Sequence, residues 1–595
     1  GSHTASTTAG NVLVNQNVPD VDGKDSGVVF EQVSGVAPHA NIVSYQVCLP
    51  GEKDKINFAG CLPSLTVLAV EHAIENGIDV LNYSIGGGSS NPWQDADALA
   101  FLSARKAGIH VATSAGNDGP DAGTVGSPGD APWITTVAAY THDRDFSDKT
   151  LSGFTGGDTA APGTLTGKAM TGAYSGKIVY AGDFTNANDP GADPAQCLKP
   201  FPANTFAADT IVVCDRGEIA RVDKGRNVKA GGAAALVLAN VTGGADSVVA
   251  DAHVLPAINI NAAQGDKLRA WLASGEGHTA IISGSEVIHD DKLARIAAEF
   301  TSRGPNKSVP NVIAPSIAAP GVNIFAAYAD SQSAGFKENP DPSNFGFLSG
   351  TSMASPHIAG ALTLLAKIHP TWTPAEIQSA LMLTANQNTL KEDGKTPSDF
   401  FDMGAGFANL EAAAKTGLVM DESYVNYLKA DPMVGGKPEA INLPTMANAA
   451  CVDKCTWTRV VKATVAGSWK ASAVGMVDGF ALAVSPAEFT LAAGETKELT
   501  ITADVSAADE GWNFANIKLV ADNLPEVKLP VAVKAEGNNL PDSINLEAGR
   551  TQGSMTYSGY VVKGQTGMSI NVYDKATDLI EPSTLKVPDG DLDYI

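Results

Sequence analysis

The stretch Ser349-Gly350-Thr351-Ser352-Met353-Ala354-Ser355-Pro356-His357-Ile358-Ala359-Gly360 decides how the rest of this sequence is read. Small residues and glycine surround Ser352. The apolar run Ala361, Leu362, Leu364, Leu365, Ala366, Ile368 follows at helical spacing until His369-Pro370 stops it. Ser352 therefore stands where a glycine turn enters a helix. Its hydroxyl is exposed there, and the positive end of the helix dipole favours negative charge beside it. A nucleophilic serine needs that position. An ordinary capping Ser or Thr uses it too, so the assignment depends on what the remaining chain supplies.

The 595 residues exceed a single core and imply three or four domains. The composition, 44% hydrophobic and 18% charged, is globular, and no apolar run approaches the ~20 residues of a membrane span. A net charge of −25 argues against nucleic acid and anionic membranes, which need basic patches, and suits a soluble extracellular protein. Six cysteines fall in the near pairs Cys48/Cys61, Cys197/Cys214 and Cys451/Cys455, which predicts three disulfides and a secreted protein. Free buried thiols are the alternative. Zinc is disfavoured, because no CxxC occurs and no His lies at ligand spacing from any pair.

Along the chain the pattern predicts a buried strand at 41–47, a helix at 65–76, a strand at 78–84, a helix at 98–106 and a strand at 109–113. That alternation implies right-handed crossovers, a parallel sheet with helices on both faces, and sites at the carboxyl ends of strands. His72 and His110 read as ordinary helix and strand residues, and Asp25-Ser26-Gly27 as a solvated loop. From 147 to 287, glycine-rich turns separate short strands at 176–180, 210–214 and 235–239. A helix at 219–230 presents Lys224, Arg226 and Lys229 as a solvated face. Thr373-Pro374-Ala375-Glu376 is a capping box opening a helix that runs through Leu383. Beyond Leu418 the helical signal ends. Apolar runs at 480–484, 498–503 and 527–531 between turns predict a β-sandwich, followed by a linker at 538–541 and a further β-rich piece with no obvious closure at Ile595.

The run around Ser352 resembles the serine motif of the subtilisin-like serine proteases (subtilases, peptidase family S8). The resemblance implies that Ser352 is the nucleophile and that His357 has a packing role. Thr113-Ser114-Ala115-Gly116-Asn117-Asp118-Gly119 resembles the oxyanion motif, which implies that Asn117 donates to the tetrahedral oxyanion. Losing that donor costs roughly 3 kcal/mol, a figure that itself comes from a subtilisin. A turn Asn before Asp-Gly is the plain alternative. Asn82-Tyr83-Ser84-Ile85-Gly86-Gly87 resembles the segment that pairs with substrate backbone. By the same resemblance Ser84, Ile85, Gly86, Ser114, Ala115 and Gly116 line the substrate cleft. Gly126-Ser127-Pro128 border a first pocket open to medium or large apolar side chains.

Gly1 to Asn11 resembles the histidine motif, with His3 as its second histidine; a cloning remnant would also leave Gly-Ser-His. On either reading the catalytic His and Asp have no match and are expected upstream of Gly1. The order Asp, His, Ser is that of subtilisin itself. A chain lacking them keeps only a residual ~10³–10⁴-fold acceleration over water and is expected to be nearly inactive alone. Two stretches, 211–217 and 228–234, resemble a protease-associated (PA) domain; 299–306 and 313–322 resemble segments that precede the serine motif, and the part after 417 resembles a fibronectin-III-like domain.

The expected architecture is thus α/β, a subtilisin-like parallel sheet with an inserted mainly-β PA domain and a C-terminal β-sandwich. The expected boundaries are 1–146 and 291–417 for the two parts of the catalytic domain, 147–290 for the insert, 418–538 for the sandwich and 539–595 for a further β-rich start. The expected function is a secreted serine endopeptidase acting on proteins or peptides through an acyl-enzyme. The rival is a catalytically inactive subtilase-like scaffold. No cofactor is required on this reading, and a monomer is expected, with the PA domain contacting substrate or other proteins. Calcium is common in the family, but no metal ligand set is identified, because no EF-hand spacing occurs.

Overall fold

Strand and helix signals alternate from residue 62 onward, and the computed structural model turns that alternation into a parallel sheet. It describes residues 1–49, 60–244, 247–328 and 345–538, with the backbone of two further strands, Met568–Val572 and Ile580–Leu585. Most of the expected linker and C-terminal piece lies outside the described residues. The chain divides into two units.

One unit comprises Leu62–Tyr140, Arg295–Gly321 and Gly350–Ile595. Its elements are α1 (Pro63–Glu75), β1 (Val80–Tyr83), α2 (Ala96–Lys106), β2 (His110–Ser114), β3 (Thr135–Tyr140), β4 (Ile317–Pro320), α3 (Thr351–Ile368) and α4 (Pro374–Leu383). The sheet order is β4-β3-β2-β1, every pair parallel. Each residue of β2 and β3 is buried, which a strand achieves only when both faces of its sheet are covered. Helix α3 packs on all four strands, and α1 packs on α2. Helix α4 carries the capping box in full: Thr373 Oγ1 accepts from Glu376 N, and Glu376 Oε2 accepts from Thr373 N.

Beyond Leu418 the same unit builds a four-stranded and a five-stranded sheet. Trp457, Leu499 and Ile501 of the first share one core with Trp469, Ile517 and Leu529 of the second. A helix, Tyr424–Lys429, stands where the helical signal was expected to end. Ser423 caps it and Tyr427 is buried, its carbonyl accepting from Trp93 Nε1 at 2.8 Å. Six residues are too few to show a helical period in sequence.

The other unit comprises Gly1–Cys61, Thr141–Ala294 and Val322–Ser349. Seven strands between Lys149 and Ile282 close a barrel. Four of them (Tyr174–Tyr180, Thr210–Asp215, Ala235–Ala239, Ala257–Ile260) run parallel. Three expectations fail here, the third in part. Among the described residues, 41–47 join no sheet, and Ile42 and Val43 are 51% and 55% exposed while Val47 is buried; β propensity records fit to a pleated surface, and no ladder forms here to supply one. Asp25-Ser26-Gly27 opens the strand Asp25–Val33, paired antiparallel with Leu13–Pro19, so cross-strand pairing overrides turn-rich composition.

The basic helix, Arg221–Ala230, is a solvated face only in part: Lys229 is exposed and Arg226 half-buried, but Lys224 is not solvated. Lys224 is fully buried and donates to Gln196 O. Arg226 pairs with Asp22 at 2.6 Å, and Lys229 donates to Val254 O at 2.7 Å. The stems of long basic side chains cover apolar surface while their heads reach fixed oxygens. All three predicted disulfides are formed: Cys48–Cys61, Cys197–Cys214 and Cys451–Cys455.

Candidate active site

The carboxyl ends of β1 and β2 and the amino end of α3 meet within the sheet unit. Ser352 lies in the first turn of α3, half-buried. Its Oγ donates to Ser84 O at 3.3 Å, and Ser84 Oγ donates back to Ser352 O at 2.9 Å. Ser84 directly follows β1, so these bonds tie the expected substrate segment to the expected nucleophile. Asn82, on β1, steadies both sides: its Nδ2 donates to Ser84 Oγ at 3.1 Å, and its Oδ1 accepts from Ser355 Oγ at 2.7 Å.

Asn117 sits in the loop after β2, exposed, next to the same helix start. Thr351 N donates to its Oδ1 at 2.9 Å, and Thr351 Oγ1 lies 3.0 Å from that oxygen. Thr351 itself is fully buried. The carboxamide is therefore held by its oxygen, while among the described residues Nδ2 donates to nothing. Ser114 and Ala115 are buried, Ile85 is half-buried and Gly86 is exposed. His357 Nδ1 faces Met353 O at 2.8 Å one turn earlier in the helix.

Carboxylates stand behind the segment that follows the substrate strand. Asp130 Oδ2 accepts from Ser90 N, Ser89 Oγ and Ser308 Oγ, and burial pushes its carboxyl up. Asp95 caps α2 and accepts from Ser90 Oγ and Ser127 Oγ. Burial pushes it up as well, but these hydrogen bonds outweigh burial and leave it below the usual carboxylate value. Tyr83 OH donates to Asp97 at 2.9 Å, and burial raises both groups. So Ser89-Ser90 and Ser127, beside the expected first pocket, are held by the carboxyl groups of Asp130 and Asp95.

His3 belongs to the other unit, in the helix Ser2–Ala9, where Nε2 faces Ile324 O at 2.9 Å and Gly346 O at 3.2 Å. Burial lowers its pKa, so it stays neutral near pH 7. Thr351 and Asn82 had no part in the sequence reading although both lie inside the quoted motifs. Thr351 is fully buried and Asn82 half-buried, and a polar side chain within a run of small and apolar residues was the available signal.

The geometry thus brings together a half-buried serine at a helix start and a carboxamide held by its oxygen. The Subtilase family model of peptidases S8 matches residues 1–406, and the chain belongs to that family of serine peptidases. It is similar to three Arabidopsis thaliana proteins named as subtilisin-like proteases. It is 34% identical to SBT1.7, over 90% of this chain and 72% of that one. It is 35% identical to SBT1.6, over 76% and 57%, and 36% identical to SBT5.4, over 72% and 54%. The chain thus spans little more than half the length of the last two. A solved structure, the psychrophilic subtilisin-like protease Apa1 from the Antarctic psychrotroph Pseudoalteromonas sp. AS-11, aligns with 69% of this chain and 82% of its own at 16% identity and a TM-score of 0.32.

Proposed function

We propose that the chain is the nucleophile-bearing part of a secreted serine endopeptidase. Ser352 Oγ attacks the scissile carbonyl of a bound polypeptide and gives its proton to a histidine base. Asn117 Nδ2 and backbone N–H groups at the start of α3 hold the oxyanion that forms. The C–N bond breaks, the amine leaves with the proton from the base, and water hydrolyses the acyl-Ser352 ester. The base and its orienting Asp are assigned to the part of the protein that precedes Gly1. The substrate backbone lies along Ser84, Ile85 and Gly86, opposite Ser114, Ala115 and Gly116, as an added strand.

What carries this reading is the clamp of Thr351 on Asn117 Oδ1, which leaves the amide nitrogen free beside Ser352. The closed barrel is read as a PA domain (147–290) and the two sheets after Leu418 as a fibronectin-III-like domain (418–538), with catalytic parts at 1–146 and 291–417 and a further domain from 539. The three disulfides support an oxidising compartment. The reading needs no cofactor, and among the described residues no helix is long and apolar enough to cross a membrane.

The test is a fluorophosphonate probe on the full-length protein. Labelling at Ser352, absent in Ser352→Ala, with hydrolysis of a casein substrate, is the expected result. A folded protein that takes no label would leave the inactive scaffold as the better account.

A further inference from the structure

The loop that carries Asn117 is sewn to a segment far away in sequence, Phe300 to Gly304. Gly119 N donates to Phe300 O at 2.9 Å, Thr124 N to Arg303 O at 2.8 Å and Gly123 N to Gly304 O at 2.9 Å. Arg303 N donates to Thr124 Oγ1 at 2.9 Å. The tightest grip is at Asn117 itself. Ser302 N donates to Gly116 O at 3.0 Å, and Ser302 Oγ accepts from Asp118 N at 3.1 Å. One residue therefore holds the peptide groups on both sides of Asn117, while Thr351 holds its carboxamide from the other direction.

Ser302 is itself enclosed. It is fully buried, between Thr301, whose Oγ1 accepts from Ala139 N of β3 at 2.9 Å, and Arg303. Arg303 is 5% exposed, and its guanidinium pairs with Asp402 at 2.9 Å and Glu392 at 2.6 Å. The fit leaves no slack. Gly116 has φ +109°, and a Cβ there would lie 2.7 Å from Ser302 Oγ; a Cβ on Gly119 would lie 2.1 Å from Thr301 O. Both positions admit only glycine while the loop lies this close.

We propose that Ser302 is a positioning residue for the oxyanion donor: its hydroxyl and amide fix the φ/ψ of Asn117, so that Nδ2 meets the oxyanion without rearrangement. This rests on the protease reading above. An oxyanion donor acts by being preorganised, and a small misplacement is costly in the transition state but not in the bound ground state. The Ser302 hydroxyl should therefore affect kcat and leave KM alone.

The experiment is a double-mutant cycle in the full-length protein with an internally quenched peptide. Ser302→Ala is expected to lower kcat about tenfold with KM unchanged within about twofold. In an Asn117→Ala background the same substitution should cost nothing further, because the group it positions is gone. Ser302→Cys, with a weaker acceptor in the same place, should recover part of the loss. Equal losses in both backgrounds, or a loss confined to KM, would overturn the proposal. Should Ser302→Ala not fold, amide exchange in the wild type decides: the Asp118 N–H should exchange at least about a hundredfold more slowly than an unprotected amide, and free exchange there rules the grip out. A wild-type protein that takes no fluorophosphonate refutes the protease reading, and this proposal with it; a labelled wild type with an indifferent Ser302→Ala refutes only the proposal.

Discussion

Asn117 is held by its oxygen and offered by its nitrogen, and that asymmetry sets a prediction at the scale of one residue. On the proposed reading, Asn117→Ala removes a donor that matters only after the oxyanion forms. Its kcat should fall by about 10²–10³ with little change in KM, a size that comes from the same donor in a subtilisin and not from the distances here. Comparable losses in KM would mean that the side chain binds substrate instead. Lys149 makes the opposite case, a charge with no counter-charge. It is fully buried, and Nζ donates to Thr171 O, Thr171 Oγ1 and Gly172 O at 2.7–3.0 Å; among the described residues no carboxylate pairs with it. Desolvation lowers its pKa to about 7, and Lys224 is lowered to about 8 for the same reason. The neighbouring buried His253 is pushed down to about 4 and does not titrate in this range. An unfolded lysine titrates near ~10.4, so between about pH 7 and 10 the unfolded chain binds more protons than the folded one. Stability should therefore rise with pH across that window, each lysine adding a slope of at most about 1.4 kcal/mol per pH unit. Denaturant midpoints at pH 6 to 9 test this. Lys149→Met should flatten the part of the rise that starts near pH 7, and parallel wild-type and variant curves would show the ammonium to be solvated.

Elements form where local chemistry and tertiary pairing agree, and α4 is the clearest instance. Its capping box satisfies two of the donors that every helix start leaves open, and Thr373 Oγ1 also donates to Asp421 at 2.6 Å. Thr373→Ala should cost about 1 kcal/mol, measured as a shift in thermal or denaturant midpoint. A null shift would mean that packing of this buried helix, with residues 375–383 all inaccessible, holds the end without its cap. The same contrast explains what was legible in the sequence. Helices α2, α3 and α4, strands β1 and β2 and the alternating runs after Leu418 carry their own periodicity, caps or breakers, and were readable within a few residues; β3 and β4, short runs with no alternation, were not. Residues 41–47 carry strand composition but pair with no strand among the described residues, and Asp25-Ser26-Gly27 carries turn composition but pairs with Leu13–Pro19. Neither fact is local. At the site, Ser352, Ser84 and Asn117 were nameable because each lies in an unbroken run of characteristic residues. Thr351 and Ser302 act through bonds that span 234 and 184 positions, and no local pattern announces which buried hydroxyl faces which loop.

Across the whole molecule, 65 acidic residues against 40 basic ones give a net charge of −25 that opposes compaction, and the three covalent links act against it. They do not act equally. Cys197 and Cys214 lie in the barrel's core cluster at 1% and 0% exposure and close a span of 17 residues. Cys451 and Cys455 close a span of only 4, and Cys61 of the Cys48–Cys61 link is exposed. Constraint of the unfolded chain grows with the length of the closed loop, so replacing Cys197 and Cys214 together by Ala should cost about 3 kcal/mol, more than removing the Cys451–Cys455 link. Access runs differently. Thiol–disulfide exchange needs a thiolate to reach a sulfur, so a mild dithiol applied to the folded protein should open Cys48–Cys61 first. Cys197–Cys214 should yield only with unfolding, at a rate that tracks denaturant. Alkylation before and after denaturation, read peptide by peptide by mass spectrometry, separates the three links. If Cys197 and Cys214 alkylate at native conditions as fast as Cys61, the barrel opens without global unfolding, and the burial that shields this link does not persist in solution.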